Sequence, residues 1–433
     1  MKKLLYNNWI LALIPLLMVL LVASIGGIER QIFPDAGDYA VLAENFFSGF
    51  EQGTAVEPGW RTPGYPAMLS VAVRIFGKTG YLWLNLIFLY MTIVFMLYRA
   101  SEWRLSRGWL IIFMGLSGGI IALSSSALSE IVFIFFLLLN LEFIRRKMPI
   151  YSGLMLAVAV AIRPAALFLW IVEIIWLIMT RCSWRKVLAF AVLANLIAGI
   201  WAVRNYCVFE HFAYTSHSGR YNYFYKVGGA ISYLENRPFD EVRNELSKPL
   251  ETLTPDSFER DAVAGKLAMQ WILEHPAGFM HSQLLDLPRF WMPDITPLWE
   301  RLGLTCGNQG TLDILRREGI AAAISHYFGN ASFVVIAVSI IYTVGYGFVL
   351  VLIIIGFVKL ILAGRFKALT ALVLLLGYFW LLPAGNLDWR FRMVVWPILV
   401  FIALIGLPGG GGMLKTDQHR SCIVRQSILI RKN

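Results

Sequence analysis

The chain has 433 residues, 58% of them hydrophobic and only 15% charged, with a mean hydropathy of +0.65. That apolar excess goes beyond what a soluble core needs, and bilayer-length apolar runs recur along the chain, so a soluble enzyme is excluded and an all-α polytopic membrane protein is expected. The net charge of +11 falls in short clusters between the apolar runs, a pattern of membrane orientation rather than of nucleic-acid binding.

Behind Lys2 and Lys3, the apolar run from Trp9 to about Ile28 has the flanks of a signal peptide. It reaches the length of a true span and lacks a small-residue cleavage site, so it is expected to stay as a membrane helix. Further spans are expected near 79–98, 108–124, 128–144, 149–162, 164–180, 187–203, 335–358, 368–384 and 393–408, about ten in all. The pair 149–162 and 164–180 is short and separated by Arg163-Pro164, so it also reads as a broken pair that does not fully cross. Alternate connections carry Lys2/Lys3, Arg99/Arg104/Arg107, Arg145/Arg146/Lys147, Arg181/Arg185/Lys186, Lys359/Arg365/Lys367 and the tail from Lys415. That alternation assigns them, and both termini, to the cytoplasmic side of a plasma membrane.

Four parts follow: an N-terminal membrane module over 1–203 with a first outer loop at 29–78, an outer helical segment over 204–330, C-terminal spans over 331–408, and a basic tail over 409–433. The tail is hinged at Gly409 to Gly412 and suits anionic lipid. Cys182 and Cys422 fall on the expected cytoplasmic side. Cys207 and Cys306 fall outside, either as two free thiols or as a disulfide.

Within the first outer loop, Tyr39, Leu42, Ala43, Phe46, Phe47 and Phe50 recur at helical spacing opposite Asp38, Glu44, Asn45 and Ser48, which predicts an amphipathic interfacial helix. Asp35 is placed just before it, as a helix cap or as a base at the positive end. Pro63 and Pro66 then hold Arg61 to Tyr65 out of regular helix, with a new helix from Ala67 to Phe76. The long outer segment predicts a helix over Asp261 to Glu274, a break at His275-Pro276 and a helix ending at Phe290-Trp291.

The candidate chemistry sits along that outer face. Asp35 and Asp38 are the candidate general bases, since a sheltered carboxylate is able to take the proton of an acceptor hydroxyl. Arg61, Arg163, Arg204, Arg390 and Arg392 come from separate segments yet share the face where arginine is normally scarce, and arginine forks suit a phosphate. Each alone reads equally as an interfacial anchor. Glu130, after Ser124 to Ser129, either binds a sugar hydroxyl or pairs with an arginine. Asn205 joins Arg204 at the aromatic end of the seventh span. Tyr39 and Tyr65 flank the acids and the arginine as candidate substrate contacts.

His211, His217, His275, His281 and His326 lack zinc-motif spacing and read as solvated or capping residues. Asp35 with Glu130 offers two carboxylates to a divalent ion, an arrangement the sequence does not otherwise support, so neither metal nor cofactor is assigned. No P-loop, Rossmann fingerprint or nucleophile elbow is present, which argues against a nucleotide-sugar donor.

In order along the chain, Asp35 to Tyr39 with Leu42-Ala43, Arg61-Thr62-Pro63-Gly64-Tyr65-Pro66, Leu128-Ser129-Glu130, Ile162-Arg163-Pro164, Trp201 to Asn205, and Arg390-Phe391-Arg392 with Pro397 resemble a known pattern. It is that of the GT-C glycosyltransferases using polyprenyl-phosphate sugars, of the dolichyl-phosphate-mannose-protein mannosyltransferase and lipid A aminoarabinose transferase kind. The resemblance implies a GT-C bundle and metal-independent, inverting transfer on the outer face. The donor would be a polyprenyl-phosphate sugar and the acceptor an envelope glycan, lipid or protein, with Asp35 as base and the arginines holding the departing lipid phosphate. The mannosyltransferases carry an Asp-Glu pair where this chain has Asp35-Ala36, with its second acid at Asp38, so the choice between Asp35 and Asp38 stays open. Rivals from other classes are a lipid-linked-sugar flippase and a non-catalytic assembly subunit.

Overall fold

The computed structural model describes residues 2–27, 31, 34–304, 311–329, 331–383 and 389–410, and among them every regular element is helical. The N-terminal module comprises α1 (Lys2–Gly26), α2 (Pro34–Glu44), α3 (Gly64–Phe76), α4 (Gly80–Glu102), α5 (Arg107–Gly115), α6 (Gly118–Ser124), α7 (Glu130–Arg145), α8 (Pro149–Ile162), α9 (Leu169–Met179) and α10 (Trp184–Phe209). The middle of the chain is a layer of shorter helices. These are α11 (Ser218–Tyr221), α12 (Gly228–Leu234), α13 (Phe239–Leu253), α14 (Ser257–Glu274), α15 (Pro276–Phe290), α16 (Thr296–Leu302), α17 (Thr311–Glu318) and α18 (Ile320–Phe328). The expected helix 261–274 and its break at His275-Pro276 are both present, with Asp256 capping α14 through the amides of Phe258 and Glu259. Three long helices close the bundle: α19 (Phe333–Leu362), α20 (Phe366–Leu381) and α21 (Trp389–Gly406).

Four helical stretches, Gly64–Glu102, Trp184–Phe209, Phe333–Leu362 and Trp389–Gly406, are long and apolar enough to cross a membrane, and the bent α5–α6 pair makes a fifth. Ile10–Gly26, Pro149–Ile162, Pro164–Met179 and Phe366–Leu381 are apolar but shorter, so length and composition alone do not reach the expected ten. The outer surface of α19 carries Phe333, Ile341, Val344 and Leu362, all exposed. A face of that kind needs hydrocarbon around it, and the protein is membrane-embedded.

Helix contacts concentrate in α8 against α7 and α10, and in α19 against α21. The second pair meets at glycine. A Cβ on Gly356 would lie 2.1 Å from the Ile402 carbonyl oxygen, and one on Gly406 would lie 2.1 Å from that of Leu352. Without a hydrophobic drive between helices in lipid, such backbone proximity supplies the packing.

Two expectations about local structure are corrected. The 108–124 run is not one straight span, because α5 and α6 meet at 67°. Ser117 caps α6, and the Gly119 amide donates to Asp294 Oδ2 at 2.5 Å while the Gly118 amide donates to the Tyr342 hydroxyl at 3.1 Å. Those partners satisfy the amides that a helix start buried in the bundle leaves open. The interfacial helix, in turn, stops at Glu44 instead of running through Phe50. Asn45 donates its side chain to the Val41 carbonyl, and the chain turns back with Phe50 at φ 58. Phe46 and Phe50 then pack with Leu42, Val56 and Trp201 as a small separate core, so this aromatic face meets the protein.

The Cys207 side chain is exposed, while Cys306, Cys422 and the tail from Lys415 lie outside the described residues.

Candidate active site at the Asp35 end of the bundle

α2 begins at Pro34, a residue pre-shaped for a first helical position. Asp35 therefore lies inside the first turn of α2, and not ahead of it, with Asp38 one turn further on the same side. Arg61 stands on the corner before α3, which starts at Gly64 rather than at Ala67. That corner is pinned twice to the end of α8. Thr62 Oγ1 donates to the Ile162 carbonyl at 3.0 Å, and a Cβ on Gly64 would come within 2.6 Å of the Ala161 backbone. Arg163 follows in extended conformation, φ −144 and ψ 129, between α8 and the short turn Pro164–Ala166, so the break interrupts helix where a guanidinium must turn aside. Tyr214 and Tyr378 hold the break by donating to the carbonyls of Val160 and Ala165 at 2.6 and 2.7 Å.

The result is a row of alternating charge. Asp38 Oδ2 accepts from Arg61 Nε and Nη2 at 3.0 and 2.9 Å, and Arg61 Nη2 also reaches Asp35 Oδ1 at 2.8 Å. The other Asp35 oxygen takes Arg390 Nη1 at 3.0 Å, from the first turn of α21. Arg390 continues to Glu130 Oε1 at 2.6 to 2.7 Å, and Arg163 Nη1 meets that same oxygen at 2.8 Å and Ser129 Oγ at 3.1 Å. Tyr39 lies 3.4 Å from Ser129 Oγ and under the Arg61 guanidinium. Glu130 is fully buried with Oε2 unpartnered, whereas the Asp35 side chain is 34% exposed, so the row runs from a sealed end to an open one.

Burial pushes the Asp35 carboxyl up, but the charges of Arg61 and Arg390 outweigh it and hold the group well below the ordinary carboxylate range. Asp38 shares Arg61 alone. In this arrangement Asp35 is ionised and tightly held, a good counter-ion and a weak base.

Several expected site residues do not join the row. Tyr65 is wholly buried and supports Tyr39 edge-on, with ring centroids 4.8 Å apart, so it backs a contact residue rather than facing a ligand. Arg204 pairs with Glu51 at 2.8 Å and lies over Trp201, Phe50 and Phe209; Asn205 is buried and donates to the Ala213 carbonyl at 2.8 Å. Together they latch the end of α10 to the turn at Glu51 and to the segment before α11. Arg392, two residues from Arg390 and hence on another helix face, is fully buried against Asp294 and donates to the carbonyls of Phe290 and Met292. It anchors α21 to the segment between α15 and α16.

Between Asp35 and Glu130, where two carboxylates could have shared a divalent ion, Arg390 bridges the pair with its own charge.

Two residues carry no signal in the sequence. His217 stands at the N-cap position of α11, but its side chain makes no cap bond: the half-buried ring stands 5.5 Å from that of Trp60, and its Nδ1 is buried without a partner. Burial first, then the charges of Arg61 and Arg220, bring it down to about 4 against the opposing charge of Asp35, which makes it a neutral imidazole beside the row at neutral pH. A lone histidine has no spacing signal, and nothing in the sequence marks it. Glu51, partner to Arg204, was missed for the same reason.

No protein-family model, no curated protein and no solved structure is detectably similar to this chain. The class defined by fold and site is thus an all-α membrane protein with a partly open carboxylate–arginine row at one end of its bundle.

Proposed function

We propose that the protein is a membrane glycosyltransferase of the GT-C kind. It transfers one sugar from a polyprenyl-phosphate donor to an envelope glycan, lipid or protein acceptor. The observation that carries this reading is the convergence of Asp35, Asp38 and Glu130 with Arg61, Arg163 and Arg390, drawn from the first loop, two helix starts and a helix break. Ion pairs collected from so far apart beside a membrane are costly to build and are kept where a charged ligand uses them.

In this reading the short apolar helices and the bent pair all cross, giving about ten spans, with both termini on the cytoplasmic side of a plasma membrane and the Asp35 row on the outer face. The donor's phosphate competes for the guanidiniums of Arg390, Arg163 and Arg61. Drawing Arg390 away from Asp35 removes one of the charges that hold its carboxyl down, so its basicity rises when donor is bound. The acceptor hydroxyl then attacks the anomeric carbon, its proton passes to Asp35, and the bond from that carbon to the phosphate oxygen breaks. The lipid phosphate leaves with the electron pair, held by the arginines. Asp35 is favoured over Asp38 because it alone touches both Arg61 and Arg390.

The test is Asp35→Asn with Asp38→Asn beside it, in membranes supplied with lipid-linked sugar. Transfer is expected to fall about 100- to 10,000-fold for Asp35→Asn at unchanged abundance, and much less for Asp38→Asn. Undiminished transfer by Asp35→Asn would overturn the assignment and return the flippase and assembly-subunit readings.

A further inference from the structure

At the bundle end opposite the Asp35 row, a cavity of about 300 Å³ opens among α4, α7, α9, α19, α20 and α21. Its wall is almost entirely hydrocarbon, from Phe95, Leu138, Val172, Leu372, Phe401 and Ile402 among others. The cavity is not sealed, and an apolar space of this size is a poor place for water.

Charged groups stand around it. Arg99, Glu142 and Arg145 border the cavity, and Arg146 shares Glu142 with them. Glu173, 3% exposed, places one carboxyl oxygen 3.0 Å from Asn140 Nδ2 and leaves the other without a partner; Arg99 Nε, equally buried, has none either. Buried polar atoms are nearly always satisfied, so the unpartnered Arg99 Nε donor at the cavity wall points to a missing acceptor. Arg99, Arg145 and Arg146 match Glu142, Glu102 and Glu173 in number, and three lysines at this end tip the balance: Lys147 and Lys367 reach the carbonyls of Thr180 and Met179, and Lys359 those of Ile405 to Leu407. The surroundings are therefore cationic while the interior is apolar.

We infer that this cavity is a binding site for an anionic membrane phospholipid, one acyl chain inside and the phosphate against Arg99 and Arg145. Glu130 and Glu142 are separated along α7 by roughly 18 Å at 1.5 Å per residue, so a headgroup that sits here is not at the Asp35 row. The site is distinct from that of the proposed donor and does not rest on the transfer reading. Its occupant would brace α20, which has few helix contacts of its own, against α9 and α21.

The test reconstitutes the full chain in vesicles of equal phosphatidylglycerol and phosphatidylcholine, extracts it in mild detergent and reads retained lipid by native mass spectrometry. One phosphatidylglycerol per chain is expected, preferred over phosphatidylcholine about tenfold, since each nearby cation contributes roughly 1 kcal/mol. Arg145→Gln should lower that preference about fivefold while a lipid is still retained. Ala371→Trp, which fills the cavity from α20, should abolish retention, and Ala368→Phe serves as a second filling variant should the first fail to insert. A wild-type chain that strips clean, equal retention of both lipids, undiminished retention by the filled variant, or displacement by added polyprenyl phosphate would each overturn the proposal.

Discussion

Both ends of the bundle are tied by carboxylates and arginines, but they are built in opposite ways. At one end Glu142 gathers Arg145 and Arg146 from its own helix, three and four residues on, and adds Arg99 from α4. Two of those arginines are more than 40% exposed. At the other end Glu130 gathers Arg163 and Arg390 from residues far along the chain, both mostly buried. The first network comes almost free with the helix, as i,i+3 and i,i+4 pairs do, and is worth little in stability. The second exists only if the whole fold brings it together. Ion pairs of that sort are weak grounds for stability and better grounds for use.

Breaking each network should expose the difference. Glu130→Gln leaves two buried guanidiniums facing each other and is expected to cost about 3–5 kcal/mol, read as thermal unfolding in detergent, together with loss of transfer. Glu142→Gln strands Arg99 but lets Arg145 and Arg146 turn to water. About 1–3 kcal/mol is expected there, with transfer intact. Equal losses would mean that the two ends do the same structural job, and the contrast would collapse.

An effect of similar size is expected from the glycine contact of α19 with α21 at the cavity end. Gly356→Ala forces α19 from the Ile402 carbonyl and should cost about 1–3 kcal/mol by the same measurement, without changing the donor preference.

A last effect, of the same order, concerns pH. His217 is held near 4 against an ordinary 6.5, so the unfolded chain takes up this proton first. Its neutral ring therefore stabilises the fold above about 6.5, and that contribution is lost as pH falls from 6.5 towards 4. His217→Gln should flatten the stability profile in that window by on the order of 3 kcal/mol; an unchanged profile would place the ring in water.

Asp35, Arg61, Glu130 and Arg163 were legible in the sequence because each sits beside a signal that polarity and backbone chemistry leave in one dimension. These signals are a proline-started helix, a proline corner, a helix opening after a serine run and a proline break. Arg204 and Arg392 looked the same from outside, as arginines at span ends. What separates them is the face each one occupies, and that depends on partners such as Glu51 and Asp294, 153 and about 100 residues distant. His217 was invisible, since its role rests on Trp60 and on charges its neighbours in sequence do not carry.

Composition and apolar period by themselves determined an all-helical membrane chain and most helix limits, because burial in lipid leaves the backbone few other ways to satisfy its hydrogen bonds. Only tertiary structure decided which charges meet. A guanidinium is satisfied by any carboxylate within reach, and reach is a property of the packed bundle, of Gly64 against α8 and Asp294 under the bent α5–α6 pair, which no local pattern encodes.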